Sequence, residues 1–215
     1  MLTLGLDKAR KYILNVLDEL QNASEEGLLI DEESDTLKLT RGFLAEAIVK
    51  SHREAPSHLL DGKIGVAGED YEVDIKDNIA NINMLQTSAR LVSLKSSDST
   101  VVVSDYVTED SPIGRAQNNK YVRGTYDDPR LIIKRAIADV RKPEYLYYSV
   151  NASDATFSLE YIPYPEDGAE THNIAEKLEY AVLNLLASMV LDALTLPDKA
   201  NIYKAKYQEY LQTAR

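Results

Sequence analysis

Pro163 and Pro165 place the strongest constraint on what this chain can fold into, because the hydrophobic period changes across them. Before them, residues 145–150 and 156–162 are rich in tyrosine and β-branched residues and run into Tyr161-Ile162-Pro163-Tyr164-Pro165. Proline donates no backbone hydrogen bond, so this pair stops a sheet. After them, Ile174, Leu178, Ala181, Val182, Leu185, Met189 and Ala193 recur at intervals of mostly three and four, the stripe of a long amphipathic helix. Asn173 with Glu176 three residues on forms a capping pair for its start. Pro197 breaks that helix, Asp198 is placed to cap a final one, and Tyr203, Tyr207 and Tyr210 share one face of it.

The first sixty residues carry the same helical period. Over residues 4–22, Leu6, Ile13, Leu14, Val16, Leu17 and Leu20 give one buried stripe, ending in a polar segment at 22–27. The acidic run Asp31-Glu32-Glu33-Ser34-Asp35 reads as a solvated loop. A second helix is expected from Thr40 as N-cap, burying Phe43, Leu44, Ala47 and Ile48 and stopping before Pro56.

The middle of the chain reads as β structure. A glycine-rich loop through Gly62, Gly65 and Gly68 leads to a short strand carrying Tyr71, Val73 and Ile75. Further strands are expected at 89–95, 101–103 and about 130–138, although Leu131-Ile132-Ile133 also suits a helix start. Residues 104–129 are polar and turn-rich. Asn151-Ala152-Ser153-Asp154 signals a hairpin whose second strand sets Phe157, Leu159 and Tyr161 on one face. The expected class is α+β: an antiparallel helical bundle from residues 1–60 and 171–215, with a β-rich insertion at about 85–165, in one domain of 215 residues.

Composition removes several kinds of chemistry. The chain has no cysteine, which excludes thiol catalysis, disulfides and cysteine-based zinc sites. A formal charge of −11 opposes any grip on nucleic acid, where Lys and Arg must neutralise phosphates. It fits either plain solubility or a surface that DNA passes without binding. No apolar run is of membrane-spanning length, and Met1-Leu2-Thr3-Leu4-Gly5-Leu6-Asp7 lacks the basic region and apolar core of a secretion signal; the absence of cysteine is consistent with assembly in a reducing cytoplasm.

Catalytic patterns are missing. His52 and His58 flank Pro56 at a spacing unlike a zinc-binding helix, and His172 reads as a surface residue at a helix start. No nucleophile-elbow serine motif occurs, and the glycines at 62, 65 and 68 match no phosphate-binding pattern. Adjacent carboxylates such as Glu109-Asp110 and Asp127-Asp128 read as solvated loop groups. No catalytic, cofactor or metal residue is therefore expected. The remaining signals concern contact. Tyrosine numbers 14 against 2 phenylalanines and no tryptophan, and it suits both late-buried interfaces and half-wet β surfaces. Tyr145, Tyr147, Tyr148 and Tyr161 are contact candidates on strands, and Tyr203, Tyr207 and Tyr210 on the last helix, where helix packing explains them as well. Arg115 and Arg123, in a locally basic loop with Lys120 and Arg130, are candidates for salt-bridged contacts between subunits.

Taken in order, several segments between residues 85 and 211 carry a likeness. They are the strand Ala89-Arg90-Leu91-Val92-Ser93-Leu94-Lys95, the turn Arg123-Gly124-Thr125-Tyr126-Asp127-Asp128-Pro129, and Tyr145-Leu146-Tyr147-Tyr148-Ser149. The strand end Tyr161-Ile162-Pro163 and the closing helices, from Leu178 through Leu191 and from Ala200 to Tyr210, complete the set. This order resembles the head-to-tail adaptor proteins of short-tailed bacteriophages, the tail tubular protein A-like connectors. The resemblance implies a helical bundle carrying a β-rich insertion and a homo-oligomeric, dodecameric ring between portal and tail or nozzle proteins. It implies location at the head–tail junction of a virion, DNA passing through the lumen without specific binding, and no enzyme activity or cofactor. The rival expectations are a non-viral adaptor or scaffold module, and a hydrolase using carboxylates and a divalent metal.

Overall fold

The N-terminal helical period is realised over Leu6–Ala23, after a strand at Leu2–Gly5: Leu6, Ile13, Val16 and Leu17 are buried together with Ala9, while Leu14 of the expected stripe is half-buried. The computed structural model describes residues 1–23, 32–119, 121, 123–125, 127–134, 141–148, 155–166 and 169–214, without the side chains of 20–23 and 32–34. The sequence-read features at Lys120, Tyr126, residues 135–138 and Asn151-Ala152-Ser153-Asp154 lie outside them. In chain order the elements are β1 (Leu2–Gly5), α1 (Leu6–Ala23), α2 (Glu32–Glu54), β2 (Lys63–Ile64), β3 (Tyr71–Lys76), β4 (Ile79–Met84), β5 (Ser88–Ser96) and β6 (Val102–Val103). They continue with β7 (Val107–Thr108), α3 (Pro112–Ala116), β8 (Arg130–Ile133), β9 (Glu144–Tyr148), β10 (Phe157–Pro163), β11 (Thr171–Ile174), α4 (Glu179–Ala193) and α5 (Pro197–Thr213). The class is α+β, with helices from both ends of the chain and between them in sequence a β region that is antiparallel except where β7 pairs parallel with β8. Two compact units result, one from residues 1–61 with 165–215 and one from residues 62–164.

The helical unit is organised around α4, which packs against α1, α2 and α5. The expected single stripe is corrected here. Leu183, Leu186, Ala187, Val190 and Leu191 are buried alongside Ala181, Val182 and Leu185, whereas Ala193 is exposed. A helix buried on nearly every side, its polar Asn184 and Ser188 included, belongs in the middle of a core. Three start signals are also corrected. The helix expected from Thr40 begins by Glu32, so part of the acidic run is helical and Thr40 is an interior, buried residue. Asn173 sits in β11, which pairs antiparallel with β1, and α4 starts only after a 3-10 turn at Glu176–Leu178. Asp198 lies in the first turn of α5 behind Pro197, whose missing N–H is harmless there, and makes no cap.

The β unit holds two sheets that share one core. Their strand orders are β2-β10-β5-β6 and β3-β4-β9-β8-β7; the strand expected through Tyr71, Val73 and Ile75 is β3, and the insertion begins at 62, earlier than the expected 85. Tyr71, Ile82, Leu91, Leu94, Leu131, Tyr145, Tyr147, Leu159 and Tyr161 fill the space between them. Asp77 and Asn78, with φ of 54° and 63°, close the β3–β4 hairpin, because two short polar residues tolerate the left-handed turn that matches strand twist. The hairpin expected around 151–154 is not a pairing of its flanking strands. β9 is hydrogen-bonded by β4 and β8, and β10 by β2 and β5, so both edges of each strand are taken and the two lie in different sheets. The alternation read in β10 does hold, with Phe157, Leu159 and Tyr161 buried together.

One glycine in this unit is fixed by space. A Cβ on Gly114 would stand 2.4 Å from the Thr108 carbonyl oxygen and 2.7 Å from that of Glu109. Gly114→Ala is therefore expected to cost about 1–3 kcal/mol, read as a lower urea midpoint at unchanged slope.

Candidate functional site

The strand tyrosines expected at a contact surface are interior, which corrects that reading for them, whereas burial of Tyr203 and Tyr207 is the helix packing expected beside it. Tyr145, Tyr147, Tyr148 and Tyr161 in the β unit, and Tyr203 and Tyr207 in the helical unit, are all buried within the chain's own fold. Tyr210 is half-buried against Tyr180, at 5.4 Å between ring centres, and donates to the Lys177 carbonyl. The physical reason lies in the aromatic balance. With 2 phenylalanines and no tryptophan, tyrosine must supply the aromatic bulk of both cores, and each buried hydroxyl then needs a partner. Tyr71 donates to the Phe157 carbonyl, Tyr207 to Glu54 at 2.9 Å, and Tyr12 to Asn184 at 3.2 Å. Burial, reinforced by Glu54, pushes the Tyr207 phenol up, and burial raises Tyr12 to about 12.

The strongest polar cluster of the β unit centres on Asp70, a buried carboxylate. One oxygen accepts from Lys63 Nζ at 3.0 Å and from the Tyr161 hydroxyl at 2.9 Å; the other accepts from the Val66 amide at 2.9 Å. Burial works to raise this carboxyl, but the Val66 amide, Lys63 and Tyr161 outweigh it and hold it below the ordinary carboxylate range. Lys63 is correspondingly raised, first by the bond to Asp70. Glu160 accepts from the Gly62 amide at 2.7 Å and from Ser93 at 3.2 Å. These bonds pin the glycine-rich loop onto β10. They satisfy one another, which is the work of a clasp.

Neither a protein-family model nor a curated protein matches the chain. The site must therefore be read from its own chemistry. Among the described residues, no group of three or more His, Asp or Glu side chains is placed to hold a metal ion. His52 and His172 are buried and His58 binds the Ala214 carbonyl at 3.0 Å, so none of the three sits as a free surface imidazole. His172 was expected at the surface of a helix start; it is an inward residue of β11.

The β unit exposes apolar side chains at Ile64 and Val66 and again around residues 101–131. A groove of about 230 Å³ runs between Val101–Val103 and residues 128–131, with Asp105 and Ile113 on its walls. Val102, Ile113 and Tyr121 are exposed around this region, Tyr121 at 85%. Arg115 is exposed in α3, whose start is capped by Ser111 accepting from the Gly114 amide. Arg123 is spent within the chain: it reaches the Gln117 and Asp77 carbonyls at 3.3 and 3.4 Å and covers the Tyr148 ring at 5.6 Å. The two arginines thus divide, one turned outward and one holding the loop to the β3–β4 turn. Sequence reasoning missed Lys63, Asp70 and Glu160. Asp70 and Tyr161 are 91 residues apart, and no local pattern joins them.

Proposed function

We propose that this chain is a non-enzymatic structural subunit of a phage head-to-tail connector, forming a homo-oligomeric ring between portal and tail through which DNA passes. The observation that supports it best is the element order. Helices from both ends of the chain build one core around α4, and the whole of residues 62–164 is a β insertion between them, which is what the resemblance to tail tubular protein A-like adaptors implies. A cyclic ring repeats one heterologous interface, and Val102, Ile113, Tyr121 and Arg115 supply an exposed surface of mixed apolar and basic character for it. The charge of −11 fits a conduit, since a wall that bound phosphates tightly would hold the DNA back.

Mass photometry and negative-stain imaging of the purified chain, alone and with portal, test the reading. Rings are expected, either spontaneously or on the portal, and no retardation of duplex DNA at moderate salt. A chain that stays monomeric beside an assembled portal would falsify it, and the scaffold reading would take its place.

A further inference from the structure

Two buried imidazoles converge on one short segment of the helical unit. His52, fully buried in α2, donates from Nδ1 to the Ile48 carbonyl at 2.8 Å, and its Nε2 accepts the Ala175 amide at 3.1 Å. A backbone N–H can only donate, so this ring is held as the neutral Nδ1–H tautomer. A second proton would set two N–H groups against each other in a dry site. Three residues before Ala175, His172 lies buried in β11 opposite Leu4 of β1. The same segment holds the start of the chain: β1 pairs with β11 along its length, and the Leu6 amide donates to the Glu170 carbonyl at 2.8 Å.

We propose that His52 and His172 form an acid-opened clasp, which holds residues 171–175 and the N-terminal strand β1 onto the helical core only while both rings are neutral. Of the other charged groups around it, the Met1 ammonium pairs with Asp61 at 2.8 Å just ahead of β1. Glu54 of α2 accepts from Tyr207 of α5, Lys8 of α1 pairs with Glu179 of α4, Glu176 and Lys177 follow Ala175, and Arg53 neighbours His52 along α2. Glu166, ahead of β11, is the carboxylate that opposes the effect of burial on His172. Burial wins, and His172 is held below the usual imidazole value. The closed form then binds the proton less readily than the open form. The clasp holds fully above about pH 6.5 and weakens as pH falls, until the ring is charged in both forms.

All three histidines lie in the helical unit, so the β unit supplies an internal reference. Hydrogen exchange of the full chain, corrected for intrinsic rates, is compared at about pH 7.5 and about pH 5. Protection at residues 2–6 and 171–175 is expected to fall at least about tenfold, with amides of β4, β5 and β9 unchanged. His172→Gln is expected to reduce that pH dependence, and His52→Gln paired with it to abolish most of it. Imidazole NMR titration of the unaltered chain keeps the test open if a variant misfolds. Protection equal at both pH values, or a His52 ring that gains its proton with no change at the Ala175 amide, overturns the proposal.

Discussion

Truncating Leu186 to alanine is expected to destabilise the chain by about 4 kcal/mol, the largest single effect of an apolar substitution in the helical unit. Leu186 is completely buried near the middle of α4, the helix that every other long helix of this unit touches. Losing three side-chain carbons removes their transfer free energy. It also leaves a cavity, because the helices packed around α4 relax only partly into the space. Ile202 on α5 is 49% exposed, and Ile202→Ala is the control, expected within about 1 kcal/mol of the parent. Urea melts followed by circular dichroism measure both. Near-equal midpoints would mean that α4 is not the centre of the core.

What was legible in the residues was local. The faces of α1 and α2 and the alternation of β10 follow from spacing alone, because a helix or strand sorts its side chains by period. What escaped reading depended on distant partners. β1 and β11 are four residues each, too short for a period to emerge, and they find each other across 170 residues of chain. In α4 the single stripe fails because Leu183, Leu186 and Val190 fall off it and even the polar Asn184 and Ser188 are buried, the signature of an enclosed helix. Asp77-Asn78 was a turn signal left unused, and β4 was lost with it.

The contact residues were misread for a physical reason that bears on function. Tyrosine abundance says that aromatic groups need polar partners; it does not say whether those partners lie inside the chain or on another. Here Tyr71, Tyr161 and Tyr207 find them inside. The large apolar side chains that the β unit leaves exposed are mostly aliphatic, Ile64, Val66, Val102 and Ile113, with Tyr121 the aromatic exception. Under the connector proposal, a subunit whose aromatic residues are committed to its own core is expected to fold before it assembles. A ring built from it would then form by docking finished subunits.

Asp70→Ala is expected to cost about 2–4 kcal/mol and to remove an acid-sensitive component of stability. The carboxylate is the only acceptor in its cluster for the Tyr161 hydroxyl and the Val66 amide, and it holds Lys63 beside them. Deleting it strands a buried hydroxyl and a loop amide, while Lys63, about half exposed, turns to water at little loss. The pH dependence follows from the direction of the shift. Asp70 is held below its ordinary value in the fold, so the unfolded chain takes up its proton first. Its contribution is complete above about pH 4 and is lost as pH falls through the lower folded value. Melts of the parent and Asp70→Ala at neutral pH and near pH 3 separate the two effects: the gap between them narrows in acid if the ionised clasp supplies the difference. A gap that stays constant assigns the loss to packing alone. Tyr161→Phe, which removes one donor and leaves the carboxylate with two, is the smaller companion change, at about 1 kcal/mol.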